Sequence, residues 1–228
     1  MEKLLKLLFL ILISLSVYFI YQKTRDSTYT ITSIGDKLSL GINSYGIKEY
    51  SYIDYYKEYL ENTKDNVIIN RTYSSNKQTI KKVLTELEKS PSIKRVLTDT
   101  DILIITLGYN DLLEEISLTE NITENKLNKI IEEIQEDYNN MIEEIKKYYH
   151  GEIIVIGYFE SNTDNYYINK GIRKLNTILN KDNITFINTY NLLKNREKLF
   201  SNPNSYYPNH KGYEAIFNEI VRKKLAKS

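Results

Sequence analysis

The chain predicts an α/β fold, a three-layer α/β/α sandwich built on a five-stranded parallel sheet. Three observations predict it. Five short runs rich in β-branched and apolar residues recur: Tyr29–Ile34, Asn66–Asn70, Asp101–Leu107, Glu152–Gly157 and Ile184–Asn188. Stretches with helical spacing separate them, which is the pattern of strand–helix–strand units. Runs such as Asp101–Leu107 are apolar almost throughout, as a strand covered on both faces requires. A length of 228 residues fits one domain of ordinary size with an extra segment, and is enough to bury a substantial core.

The elements follow in order. Leu7 to Tyr21 is an unbroken run of apolar residues, serines and tyrosines, extended by Leu4 and Leu5 beyond Lys6. At about 1.5 Å per residue it is just long enough to cross a hydrocarbon core. No small-residue cleavage site follows it, so residues 1–22 read as an uncleaved signal anchor, a transmembrane helix. Residues 23–28 read as a polar linker and 29–228 as the folded domain. That organisation predicts a single-pass protein of the cell membrane with its domain on the extracytoplasmic side, or a secreted one if the segment is cleaved. Helices are expected at Tyr52–Glu61, from Gln78 to Lys89, near 121–149, near 165–180 and from Lys211 to Leu225. In the longest, Leu127, Ile131, Ile134, Tyr138, Met141, Ile145 and Tyr148 are spaced 4-3-4-3-4-3. Ile130 and Ile142 widen that stripe, which favours packing on a sheet over pairing as a coiled coil.

Composition narrows the function classes. A net charge of +1 gives no case for a nucleic-acid partner. The absence of cysteine excludes disulfides, thiolate metal sites and a cysteine nucleophile. With only His150 and His210, no metal site or other cofactor is expected. The oligomeric state is open.

Three short motifs fall at or just beyond the predicted strand ends, where ligands bind in open α/β sheets. They are Gly35-Asp36-Lys37-Leu38-Ser39-Leu40-Gly41, Gly108-Tyr109-Asn110-Asp111 and Tyr207-Pro208-Asn209-His210-Lys211-Gly212-Tyr213. In this order and spacing they resemble the SGNH/GDSL hydrolase family, over about residues 29–225. The resemblance implies a flavodoxin-like sheet and an ancestry in ester cleavage. It also places the family's catalytic serine at Lys37, its aspartate at Asn204 and its histidine at Tyr207. On that reading the family's nucleophile and base are replaced, and no confident catalytic residue remains. A phenol titrating near 10 is a poor base at neutral pH. The family's oxyanion donors map to the Asn110 amide and the Ser75 backbone amide, with Gly108 beside them. Asp111 reads as a loop-bracing or capping residue.

The leading expectation is a pseudo-hydrolase that binds an anionic or acylated cell-envelope ligand. Lys37, placed near a helix N-terminus and beside Asn110, would favour such an anion. One alternative is an active esterase, lipase, deacetylase or acyltransferase with rewired chemistry through Ser39, Ser33 or water. Another is a structural protein that pairs through the 127–148 seam.

Overall fold

The computed structural model describes the backbone of residues 2–26, 28–160, 165–194, 196–202 and 207–226, with side chains from residue 6 to 21 and again from 28 onward within those ranges. Five parallel strands form the sheet: β1 (Tyr29–Gly35), β2 (Val67–Ser74), β3 (Ile102–Thr106), β4 (Glu152–Ile156) and β5 (Thr185–Ile187). Their order is β2-β1-β3-β4-β5. The order therefore reverses at β1, whose neighbours are β2 and β3. The C-terminal crevice between β1 and β3 is the natural ligand position in such a sheet.

The helices carry the other two layers. They are α1 (Glu2–Asp26), α2 (Tyr52–Glu61), α3 (Ile80–Lys89), α4 (Pro91–Thr98), α5 (Tyr109–Leu118), α6 (Glu124–Lys146), α7 (Tyr166–Leu179), α8 (Thr189–Leu193) and α9 (His210–Leu225). Local chemistry sets their starts. Ser51 and Asp54 form a reciprocal capping box on α2, while Thr79, Thr123 and Asn209 side chains cap α3, α6 and α9. Helix α4 opens on Pro91, whose fixed φ suits a first helical residue. The helices α4, α5 and α8 lie outside the sequence expectation; each is short, which leaves little periodic signal.

The core is continuous. Every residue of β3 is buried, as are Ile31, Ile34, Ile154, Val155 and Ile156. Leu127, Ile131, Ile134, Tyr138, Met141 and Ile145 of α6 are buried in this same core, and α6 packs on α3, α5 and α7. The heptad seam is thus consumed within the chain and is not available for pairing with a second copy.

Two expectations are corrected. Lys37 does not lie near a helix N-terminus: residues 37–41 form a turn, and the next helix begins at Tyr52, where it was expected. The expected transmembrane helix is also not found, because no helix among the described residues is long and apolar enough to cross a membrane. The unbroken run Leu7–Tyr21 rises roughly 22 Å, against a hydrocarbon core of roughly 30 Å. Helix α1 is not a core helix either. Its large side chains from Leu7 to Tyr21 are exposed, none below 45 %.

Candidate functional site

The site is built from the end of β1 upward. Gly35 closes the strand, and a Cβ there would lie 2.6 Å from Ser39 Oγ, so only glycine lets the turn fold back so tightly. The next residue, Asp36, is 1 % exposed and tied to the sheet by its amide, which donates to the Thr106 carbonyl at 3.0 Å. Its carboxylate accepts the Leu38 amide at 2.9 Å and the Tyr158 hydroxyl at 2.6 Å. The Asp36 carbonyl accepts the Ser39 amide at 3.1 Å, and Gly41, at φ +75°, turns the chain away. A single buried carboxyl therefore organises the whole turn, on an Asx-turn pattern.

This turn places Lys37 at the outer end of β1. Its Nζ lies 4.1 Å from the centroid of the Tyr207 ring. Two residues that are 170 positions apart by number thus meet. Partial burial holds the Lys37 amine below the usual lysine value. Asn204 lies outside the described residues.

Tyrosines line the inner side of the turn. Tyr158 stacks on Tyr109 at 5.4 Å between centroids. Its backbone is clamped by Asn176, whose Oδ1 accepts the Tyr158 amide at 2.7 Å and whose Nδ2 donates to the Tyr158 carbonyl at 2.6 Å. Tyr52 and Tyr213 are fully buried nearby, and the Tyr213 hydroxyl donates to the Ile42 carbonyl at 3.0 Å. Burial pushes the Asp36 carboxyl up to about 7, against the opposing pull of the Tyr158 hydroxyl and the Leu38 amide. Burial and the nearby Asp36 charge raise the phenols of Tyr158 and Tyr207. Both phenols remain protonated at neutral pH.

The candidate nucleophiles point inward. Ser39 is fully buried, and its hydroxyl donates to the Asp36 carbonyl at 2.7 Å. Ser33 is fully buried too, with its Oγ 3.0 Å from that of Ser74. Neither histidine lies at the turn. His210 sits at the start of α9 with an exposed ring 3.9 Å from Glu49 Oε2. His150 is exposed in the connection from α6 to β4, at the N-terminal end of the parallel strands and so opposite the turn.

The expected oxyanion donors make contacts within the chain. Asn110 Nδ2 donates to the Asn76 carbonyl at 3.1 Å and to the Gln78 carbonyl at 2.8 Å, using both its hydrogens to hold the β2–α3 loop. The Ser75 amide donates to the Gly35 carbonyl at 2.9 Å. Gly108 takes φ +114° as the N-cap of α5, and a Cβ there would lie 2.9 Å from a Leu175 methyl, so its role is one of fit. Asp111 braces as expected: both its oxygens accept the Ile80 amide, at 3.0 and 3.1 Å, at the start of α3. Beside Ser75 a cleft of about 460 Å³ runs between the end of β2 and α3, lined by Thr72, Ser75, Gln78, Lys81 and Glu86 among others. Among the described residues no group of histidine, aspartate and glutamate side chains is arranged to hold a metal.

The part of the site that sequence reasoning missed is the Asp36–Tyr158 pair. Asp36 stood in the first motif, but its partner follows β4, 122 positions away, with no motif of its own.

Known proteins place this architecture. The chain is 24 % identical over 203 residues to the spore germination lipase LipC of Bacillus licheniformis, spanning 85 % of this chain and 95 % of that one. Its fold matches the lipase Lip_vut3 from a goat rumen metagenome with a TM-score of 0.70 at 22 % identity, over 86 % of this chain and 97 % of the other. It also matches the acetylxylan esterase Axe2 of Geobacillus stearothermophilus with a TM-score of 0.61 at 16 % identity, over 86 % and 93 % of the two chains. Solved catalytic variants of Axe2 replace a serine, an aspartate and the histidine three positions after that aspartate. The profile of the GDSL-like lipase/acylhydrolase family matches residues 31–220, and the chain belongs to that family.

Proposed function

We propose that this family member has exchanged ester hydrolysis for binding, and that its ligand carries a carboxylate or another small anionic or acyl group. The observation that supports the reading is the contact between Lys37 and Tyr207, the positions that the motif resemblance assigns to the family's serine and histidine. Ester cleavage needs an accessible hydroxyl, a base to take its proton and donors for the oxyanion. Here the hydroxyls of Ser33 and Ser39 are buried and bonded internally. The Asn110 and Ser75 donors hold backbone carbonyls. What the turn offers outward is an ammonium with no carboxylate partner among the described residues, flanked by an aromatic face. A cation of that kind recognises an anion through a charge-assisted hydrogen bond.

The exposed apolar helix α1 supports a second part of the reading, which is association with a membrane and an extracytoplasmic domain. Its side chains from Leu7 to Tyr21 are exposed apolar groups interrupted only by two serines, and basic residues flank the run. Co-sedimentation of the full chain with lipid vesicles, compared with a chain lacking residues 1–27, tests this. Equal amounts in the pellet would refute it.

Acetate titrated into the full chain in mild detergent tests the ligand reading. Binding is expected at pH 6, with a loss of roughly fivefold or more in Lys37→Met, the size of one charge-assisted contact. Equal affinity in that variant would remove Lys37 from the site.

A further inference from the structure

We propose that the cleft between the end of β2 and α3 binds a sugar, a compact ligand that offers several hydroxyl groups and carries no net charge. The cleft shares no residue with the Lys37–Tyr207 contact, and the proposal does not rest on the reading given for that contact.

The cleft measures about 460 Å³, within the range of small-molecule sites. Its strand β2 is an edge of the sheet, so no strand lies beyond it among the described residues. Its most enclosed polar group is Gln78, 9 % exposed. Gln78 Nε2 donates to the Tyr73 carbonyl at 3.2 Å. A carbonyl only accepts, so this contact fixes which end of the side-chain amide is which. It leaves Oε1 as an acceptor that no group uses among the described residues, on a side chain nine-tenths buried in the cleft wall. The Thr72 and Ser75 hydroxyls line the same cleft, and neither is bonded among the described residues. Those of Ser74 and Thr85 differ, since they donate to the Ser33 and Lys81 carbonyls at 2.9 and 3.0 Å. On the α3 side, Lys82 and Glu86 bring one charge of each sign. They form no ion pair with each other among the described residues. The Lys82 ammonium gives one hydrogen to the Lys77 carbonyl at 2.6 Å and keeps two. The charge of Lys81 is already met by Glu115 at 3.0 Å.

These groups decide the class of ligand. An anion would meet Lys82 but face Glu86, and a cation would meet the reverse. An apolar ligand would strip water from the Gln78 oxygen, two hydroxyls and two charges without replacing those hydrogen bonds. A neutral molecule with adjacent hydroxyls satisfies all of them, because each hydroxyl both donates and accepts. Its donors fit Gln78 Oε1 and the Glu86 carboxylate, and its acceptors fit the Lys82 ammonium. The Thr72 and Ser75 hydroxyls serve either way. The bonds to Glu86 and Lys82 are charge-assisted, and so they are the strong ones.

The test titrates methyl glucoside, methyl galactoside and methyl mannoside into the full ¹⁵N-labelled chain, in a detergent without a sugar headgroup, and follows the backbone amides by NMR. At least one sugar should move the amides of Ser75, Gln78, Lys82 and Glu86 together and saturably below about 50 mM, which fills a site with a Kd of about 1 mM. Glu86 is exposed, so Glu86→Gln should keep the native spectrum. It should weaken that sugar roughly tenfold, as loss of a charge-assisted hydrogen bond does. No saturable shift with any of the three sugars overturns the proposal. So do shifts confined to other amides, or an affinity unchanged in Glu86→Gln. Inorganic phosphate titrated in parallel should leave these four amides in place. If phosphate moves them and the sugars do not, the cleft is an anion site and the proposal fails.

Discussion

The Lys37 ammonium lies over the Tyr207 ring, 4.1 Å from its centroid, although the two residues come from opposite ends of the domain. This contact joins the turn after β1 to the segment that enters α9. A cation over an aromatic face contributes about 0.5–2 kcal/mol, depending on how dry it is. A double-mutant cycle with Lys37→Met and Tyr207→Leu, read by urea unfolding, should return a coupling in that range. Coupling near zero would mean that the pair is adjacent without interacting.

Asp36 makes a definite prediction about pH and stability. Its folded value of about 7 lies above the unfolded 3.8. The folded protein therefore holds this proton more tightly than the unfolded chain does. The resulting stability is complete below about pH 4 and is lost as pH rises to about 7. Asp111, raised to about 6 by burial, has the same sign over a lower window. The interval between pH 6 and 7.5 thus reports chiefly on Asp36. Thermal midpoints should fall across it in the native chain and stay level in Asp36→Asn. A native midpoint that rises across this interval would contradict the burial of the carboxyl.

Asp111 carries a structural load that can be measured. Its two oxygens both accept the Ile80 amide at the first residue of α3. Asp111→Ala leaves that buried donor without an acceptor, which costs about 1–3 kcal/mol. Chemical denaturation should show this loss, with a smaller one in Asp111→Asn, which retains an oxygen. A loss below about 0.5 kcal/mol would place the support of α3 elsewhere.

Gly108 tests the assignment of the second motif to packing. Its φ of +114° is strained for any side chain, and a Cβ would press on Leu175 at 2.9 Å. Gly108→Ala should destabilise the domain by about 1–3 kcal/mol. The change should leave acetate affinity within about twofold, because Gly108 touches no ligand group in this reading. A selective loss of binding at native stability would return it to the site.

Much of the fold was legible because its signals are local. Runs such as Ile102–Thr106 declare a buried strand without any partner in view, and α6 declares its buried face through its spacing. Lys37 was expected near a helix N-terminus, but it stands in the turn at 37–41. What decides it is the Asp36 carboxylate reaching its own downstream amide, together with Gly41 at positive φ. The contacts of the expected donors were not legible either. Whether the hydrogens of Asn110 and of the Ser75 amide face a ligand or a neighbouring carbonyl depends on the β2–α3 loop. The Tyr158 partner of Asp36 was invisible, because one tyrosine among 21 carries no pattern. At the N-terminus the apolar run was read as a membrane span. Its length fell short of the span assigned to it.

The most direct measurement of the central claim is hydrolysis of p-nitrophenyl acetate by the full chain, run beside Lys37→Ala and with fluorophosphonate labelling of the same samples. The account predicts no turnover above the buffer rate in either protein and no labelled serine. Turnover that Asn110→Ala or Ser39→Ala abolishes, or a single labelled serine in the native chain, would contradict it and make this turn a working catalytic site.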